Sequence, residues 1–193
     1  MTTSVVLVGV GGQGILLASE IAAQAAVFMG YDVKTNEVHG MAQRGGSVVA
    51  QIRYGREVFS PIVSSHSAQV LGSLERIEGL RNIDYLAKGG LAVISNQKIV
   101  PVTASTGGIP YPEIGEELLL RYFPRLVYID AVKHATELGN PKAANTVLLG
   151  AMATKLNLSE ESWFEAIRQS VKEKFIDINI KSFKHGFSLA KNK

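Results

Sequence analysis

The 193-residue sequence contains no cysteine. The chain therefore forms no disulfide, presents no thiol nucleophile and has no thiolate with which to hold an iron–sulfur cluster. Any such redox centre it works with belongs to a partner. Charge of one sign is also scarce: 20 Lys and Arg against 17 Asp and Glu leave a formal charge of +3, well short of a nucleic-acid footprint. The late lysines of residues 172–193 are interleaved with Glu173, Asp177 and apolar residues, as on the solvated side of an amphipathic helix. No nucleic-acid partner is expected. Long apolar runs are missing too. Residues 15–29 are interrupted by Ser19, Glu20 and Gln24 and are too short to span a bilayer. The valine-rich run near the N-terminus has no basic region ahead of it, so it does not read as a signal peptide. A cytoplasmic protein with no membrane partner is the expectation. We find no internal repeat, low-complexity tract or linker, so residues 1–193 read as one domain, long enough to bury roughly 70% of its unfolded surface.

Residues 4–9 form a β-branched apolar run without alternation, the signature of a strand buried on both faces of a parallel sheet. Residues 15–29 carry Ile15, Leu16, Ala18, Ile21, Ala22, Ala25 and Ala26 at helical spacing, with Gly30 placed as a C-terminal cap. Residues 32–38 read as a second strand, giving a strand, helix, strand unit with a right-handed crossover. Residues 39–46 are a glycine-rich loop. Residues 47–54 are strand-like, and a turn at 55–57 before extended 58–60 suggests a hairpin there. Further strands are predicted at 69–74, 91–95 and 125–129, and helices at 75–86, 113–122, 143–156, 159–172 and 181–190, with a loop at 107–112. Ser159 with Glu160 and Glu161 suits a helix start. The fold class is α/β: a mostly parallel Rossmann-like sheet with helices on both faces, plus a β-hairpin and a helical C-terminus.

Gly9-Val10-Gly11-Gly12-Gln13-Gly14 matches G-x-G-x-x-G and lies between a buried strand and a helix N-terminus. Free backbone amides and the positive end of the helix favour a phosphate there. A dinucleotide site also needs an acidic residue about twenty positions on. Only Asp32, early on the second strand, and Glu37, late on it, are available. Phosphate contact, a turn that needs glycine for packing alone, and NAD binding all stay open. A second unusual segment, His39-Gly40-Met41-Ala42-Gln43-Arg44-Gly45-Gly46, joins a titratable ring, amide and guanidinium donors and bare backbone. Such loops recognise ligands or partners, and Arg44 could clamp a carboxylate or phosphate through two parallel hydrogen bonds. The competing reading is a solvated arginine beside a glycine bend.

The remaining polar residues assemble no catalytic set. His66, His134 and His185 lie far apart in sequence, with no carboxylate or cysteine at metal-ligand spacing, so no zinc site is expected. Ser64, Ser65 and Ser67 lack a nucleophile elbow. Trp163, Phe164 and Ile167 read as core. Asn145 opens a helix after Asn140-Pro141, as a cap or as a ligand contact.

The two glycine-rich motifs, the second continuing as Ser47-Val48, resemble the small subunit of indolepyruvate:ferredoxin oxidoreductases, within the gamma-domain family of 2-oxoacid:ferredoxin oxidoreductases. The likeness extends through Phe59-Ser60-Pro61, Leu149-Gly150-Ala151 and residues 179–186, and so covers essentially the whole chain. It implies oxidative decarboxylation of an aryl 2-oxoacid, with coenzyme A accepting the acyl group and ferredoxin the electrons. It further implies a large partner subunit, in a heterodimer or heterotetramer, that holds thiamine diphosphate, magnesium and the iron–sulfur clusters. The isolated chain would be inactive, could form a homodimer, and would supply no catalytic residue. Its contribution would be a recognition set: Gly9, Gly11, Gly12, Gln13, Gly14, His39, Gln43, Arg44, Gly45, Gly46 and Asn145. Nothing in the sequence fixes an indole pocket, so a pyruvate or branched-chain gamma subunit is the nearest alternative. A freestanding Rossmann nucleotide-binding protein is another, and a nucleic-acid-binding module a remoter one.

If the fork geometry of Arg44 matters, Arg44→Lys will be nearly as harmful as Arg44→Ala to turnover and subunit affinity, at a cost of about 2–5 kcal/mol. Wild-type turnover and assembly in Arg44→Ala would show a solvated bend.

Overall fold

Strand β1 (Thr3–Val10) is buried along all but its first residue, because it has a strand on either edge and side chains packed on both faces. In the computed structural model, which describes residues 2–40, 45–100 and 111–191, β1 lies inside a six-stranded sheet. The other strands are β2 (Asp32–His39), β3 (Ser47–Gly55), β4 (Ala68–Ser73), β5 (Leu86–Ser95) and β6 (Leu126–Ile129). Their order is β2-β3-β1-β4-β5-β6. Strand β3 runs antiparallel to both its neighbours, while β1, β4, β5 and β6 pair in parallel. Five of the six strands therefore share one direction.

Alternation along β1 divides the core. Val5 and Leu7 face one layer with α1 (Ile15–Phe28), while Val6 and Val8 face the other with Leu71, Ile94 and Phe123. Four more helices build the first layer: α4 (Ala131–Glu137), α5 (Ala144–Ala153), α6 (Glu160–Ser170) and α7 (Ile176–Lys191). The short helices α2 (Arg76–Arg81) and α3 (Glu116–Tyr122) cover the second. All ten residues of α5 are buried, which is why its sequence, Ala-Asn-Thr-Val-Leu-Leu-Gly-Ala-Met-Ala, is apolar nearly all round. Trp163 sits in this core as its sequence suggests, with a ring 5.2 Å from Phe183. Ser159 caps α6 by accepting from the Ser162 amide, and Gly30 ends α1 in the left-handed region at φ 78.

Four expectations are corrected. The hairpin is formed by β2 and β3, with residues 40–46 as its connection, and residues 58–60 are not strand. This places β3 between β1 and β2, so the first strand, helix, strand unit is split by a reversed strand. The helix predicted at 75–86 stops at Arg81, a 3-10 turn follows, and β5 begins at Leu86, upstream of Gly89-Gly90. Helix α4 was not read from the sequence, although Asp130 caps it by accepting from the Lys133 amide at 2.9 Å. The loop residues 107–110 lie outside the described residues.

Helices α5 and α7 cross at two glycines. A Cβ on Gly150 would stand 2.0 Å from the Phe183 carbonyl oxygen, and one on Gly186 1.9 Å from that of Val147. Backbone has taken the space a methyl group needs. Gly150→Ala and Gly186→Ala should each destabilise the chain by about 3 kcal/mol or more in urea unfolding, since a clash with backbone cannot be relieved by a rotamer change. Gly115→Ala, whose Cβ would meet nothing, should cost less than about 1 kcal/mol.

Candidate functional site

The glycine loop leaves β1 toward α1 and the first layer, whereas β4 leads to α2 on the second. Adjacent parallel strands whose connections diverge leave a crevice at their carboxyl ends, where ligands bind in open α/β sheets. A cleft of about 520 Å³ lies here, lined by Gly12, Gln13 and Gly14 after β1, Leu74 after β4, Gln97 after β5, and Lys142 and Asn145 around the start of α5.

The loop is held from three sides. The Gln13 side chain folds back so that its carbonyl accepts from the Val10 amide at 2.7 Å, while its NH₂ donates to Leu74 O at 2.9 Å and Gln97 Oε1 at 3.2 Å. One side chain thus ties together the ends of three strands. Gly9 leaves room for it: a Cβ there would lie 2.8 Å from Gln13 Oε1. On the second side, Asn145 Nδ2 donates to Gly14 O at 3.1 Å, and Asn145 Oδ1 accepts from the Thr146 amide. Asn145 is only 2% exposed, so its amide serves the loop from behind. The third tie joins the two motifs, because the Gly11 amide donates to Gly46 O at 2.9 Å. The β1–β3 register brings this about by pairing Gly9 with Val48 and Val10 with Ser47.

Those ties engage the amides of Val10 and Gly11, and the Gln13 amide donates to Val10 O at 3.1 Å. Gly12 and Gly14 hold φ values of 98 and 81, which turn the chain sharply at the N-terminus of α1. The positive end of this 14-residue helix points at the cleft. Gly11 itself does not demand glycine, since a Cβ would sit an ordinary 3.6 Å from Gly46 O. Lys142 lines the cleft, exposed and without an ion-pair partner among the described residues.

His39 and Gly45 are exposed beside the hairpin connection, with Gly45 at φ 73 and His39 Nε2 3.9 Å from Glu37. Gln43 and Arg44 lie outside the described residues. Neither candidate ribose acid fits the role. Asp32 stands at the far end of β2, accepts from Lys34 and from the Val58 amide, and is held below the usual carboxylate range by them. Glu37 is two strand spacings from β1, about 10 Å, because β3 is interposed.

Sequence reasoning missed a buried acidic pair behind the hairpin base. Glu75 caps α2 by accepting from the Ile77 and Glu78 amides and also accepts from the Tyr111 hydroxyl. Burial, and then the Glu75 carboxylate, push the Tyr111 phenol well above its ordinary range. Glu78 receives the Ser47 hydroxyl and the Arg81 guanidinium, which anchors the start of β3 to α2. The cap and the Arg81 contact are local, but the Ser47 and Tyr111 contacts join residues 31 and 36 positions apart, which no local spacing announces. His134 and His185 also meet, Nδ1 to Nε2 at 3.1 Å. No group of three or more His, Cys, Asp or Glu that could hold a metal ion occurs among the described residues, and no helix among them is long and apolar enough to cross a membrane.

Fold and site together define a class: an open α/β domain with an anion-friendly cleft at its switch point. The chain belongs to the pyruvate ferredoxin/flavodoxin oxidoreductase family, whose model matches residues 4–189. It is 42% identical to indolepyruvate oxidoreductase subunit IorB of Thermococcus kodakarensis, over 97% of this chain and 96% of that one, and 38% identical to the Archaeoglobus fulgidus subunit of the same name, over 98% and 96%. It matches ketoisovalerate oxidoreductase subunit VorA of Methanothermobacter thermautotrophicus at 32% identity, over 96% of this chain but 36% of that longer one. The fold is shared with the gamma subunit of a keto/oxoacid ferredoxin oxidoreductase from Geobacter sulfurreducens, at TM-score 0.74 and 22% identity over 99% of both chains. It is also shared with 2-oxoglutarate:ferredoxin oxidoreductase from Magnetococcus marinus, solved with 2-oxoglutarate, coenzyme A and succinyl-CoA bound, at TM-score 0.74 and 22% identity over 100% of this chain and 31% of that one.

The left-handed backbone at Gly12 and Gly14 should cost an alanine about 1–2 kcal/mol at either position. At Gly14 the new Cβ would also stand 2.7 Å from Asn145 Nδ2. Gly14→Ala should therefore destabilise more than Gly12→Ala, and the excess should shrink when Asn145→Ala is added. Additive losses in the double variant would show that Asn145 does not clamp the loop.

Proposed function

We propose that this chain is the small subunit of an indolepyruvate, or more broadly aryl 2-oxoacid, ferredoxin oxidoreductase, and that its cleft receives the phosphate-bearing part of coenzyme A. The observation that carries the ligand reading is the convergence of Gly12 and Gly14, the N-terminus of α1 and Lys142 on one crevice. Amides and a helix end offer fixed partial positive charge to an anion, and an unpaired lysine adds a full one. The substrate reading is supported by the near full-length likeness to indolepyruvate oxidoreductase subunits.

Within this reading Gly9, Gln13 and Asn145 position the loop, while Gly12 and Gly14 face the ligand. His39, Gly45 and Gly46 form the rim toward the partner, Gly11 joins rim to loop, and Gln43 and Arg44 complete the recognition set. The chain binds and orients; it supplies no acid, base or nucleophile. Thiamine diphosphate, magnesium and the iron–sulfur clusters belong to the large subunit, which is where a sequence without cysteine requires thiolate-held clusters to be. Coenzyme A acts as co-substrate and ferredoxin as electron acceptor of the complex.

The test is reconstitution with the large subunit. The isolated chain should be colourless and inactive, and the pair should reduce ferredoxin with indolepyruvate in preference to pyruvate or a branched-chain oxoacid. In the pair, Lys142→Ala should raise the apparent Michaelis constant for coenzyme A about tenfold, the loss of one charge-assisted contact, with the stability of the isolated chain unchanged. Activity from this chain alone would overturn the subunit reading, and unchanged coenzyme A kinetics would overturn the cleft assignment.

A further inference from the structure

The cleft does not end at Lys142. A second depression of about 280 Å³ adjoins it, lined in part by Leu17, Asn140, Lys142, Lys172 and Phe175. Leu17 and Lys142 line both spaces, so the lysine stands between two parts of one elongated groove. Its charge is of one sign. No Asp or Glu among the described residues lines either part, whereas Lys142 and Lys172 do, and neither lysine has an ion-pair partner among the described residues. The wall of the second part is fixed. Asn140 accepts from the Lys142 amide at 3.1 Å, and Asn179, itself only 6% exposed, donates to the Phe175 carbonyl at 2.8 Å. Thr146 joins Asn179 to the start of α5, where Asn145 holds Gly14. One buried network therefore backs both parts of the groove. The Phe175 ring belongs to neither core layer and stays 38% exposed, with Lys174 Nζ 5.0 Å from its centroid.

At one end the groove offers the Gly12–Gly14 turn and the N-terminus of α1, and at the other a cation beside an aromatic ring. Anions suit both ends, and a planar base suits the ring, since base and aromatic faces stack. An elongated ligand with phosphates at two separated points and a flat base satisfies all of these groups at once. A free phosphate or a short acid would fill one part and leave the other unused. The phosphate-bearing half of coenzyme A has the required form: a pyrophosphate, then a ribose that carries both adenine and a separate 3′-phosphate.

We propose that the second depression takes the 3′-phosphoadenosine end of coenzyme A, with Lys172 paired to the 3′-phosphate and adenine stacked on Phe175. The Gly12–Gly14 turn then holds the pyrophosphate, and Lys142 stands between the two. The inference rests on the coenzyme A reading above and adds to it the direction of the ligand and its selection by the 3′-phosphate. It is tested in the reconstituted complex with coenzyme A and 3′-dephospho-coenzyme A as alternative acceptors, together with the melting temperature of each isolated variant. The wild-type complex should favour coenzyme A about tenfold or more in kcat/KM, the effect of one charge-assisted contact. In Lys172→Ala this preference should disappear through a raised KM for coenzyme A with kcat retained, and Lys172→Arg should keep most of it. Phe175→Ala should raise the KM for both acceptors about fivefold or more, as for an unstacked base. A wild type indifferent to the 3′-phosphate would overturn the proposal, as would a preference that survives in Lys172→Ala or unaltered kinetics in Phe175→Ala. A lowered melting temperature in either alanine variant would make that side chain structural and also overturn it. Failure of Lys142→Ala to alter the kinetics of either acceptor would instead overturn the coenzyme A reading itself.

Discussion

The Gly14 carbonyl accepts two hydrogen bonds, one from the Ala18 amide within α1 and one from the Asn145 side chain. Much of the molecule is arranged around this point. Through it the first turn of α1 is fixed to the start of α5, and the chain of contacts continues from Asn145 to Thr146 and from Thr146 to Asn179 on α7. Asn179 in turn donates to the Phe175 carbonyl at 2.8 Å. A buried polar network of this kind is stable only when its members are satisfied together. The position of the cleft wall is thereby tied to the packing of the C-terminal helices, and the close crossing at Gly150 and Gly186 becomes part of the same constraint.

Interposition of β3 has a comparable reach. A reversed strand between β1 and β2 removes β2 from the edge of the cleft, and with it the acidic residue that a dinucleotide site places near the glycine loop. In its place the hairpin delivers Gly46 to Gly11. The same sheet position can thus hold a G-x-G-x-x-G turn without an acidic residue placed to select a ribose. Residues 58–63 are hydrogen-bonded to Asp32 on β2 and to Gln51 and Arg53 on β3, so one pair of strands carries both the hairpin and this segment.

The resemblance and the physics divide the explanation between them. Family membership fixes the kind of complex in which such a domain operates, whereas the geometry explains why this chain suits a binding role within it. The Gly12–Gly14 turn, the N-terminus of α1 and Lys142 meet at one cleft.

By itself the sequence determined β1, α1 and the glycine turn between them, because an unbroken β-branched run, a helical apolar period and a left-handed glycine requirement are all local signals. It determined the core helix α5 and the cap at Ser159 for the same reason. What it did not determine was anything that depends on which strand lies beside which. The turn at 55–57 looked like a hairpin tip, yet β3 pairs antiparallel with β2 and buries Val48, Ala50, Ile52 and Tyr54 in the first-layer core. Glu75 and Glu78 carried no signal of their own in the sequence, and in the structure they are buried with Tyr111, Ser47 and Arg81 as partners. Asn145 could not be assigned between cap and ligand contact until Gly14, 131 positions away, was found against its amide. Local rules decide what each segment becomes, but pairings across a sheet join residues far apart in the chain, and only the folded structure selects them.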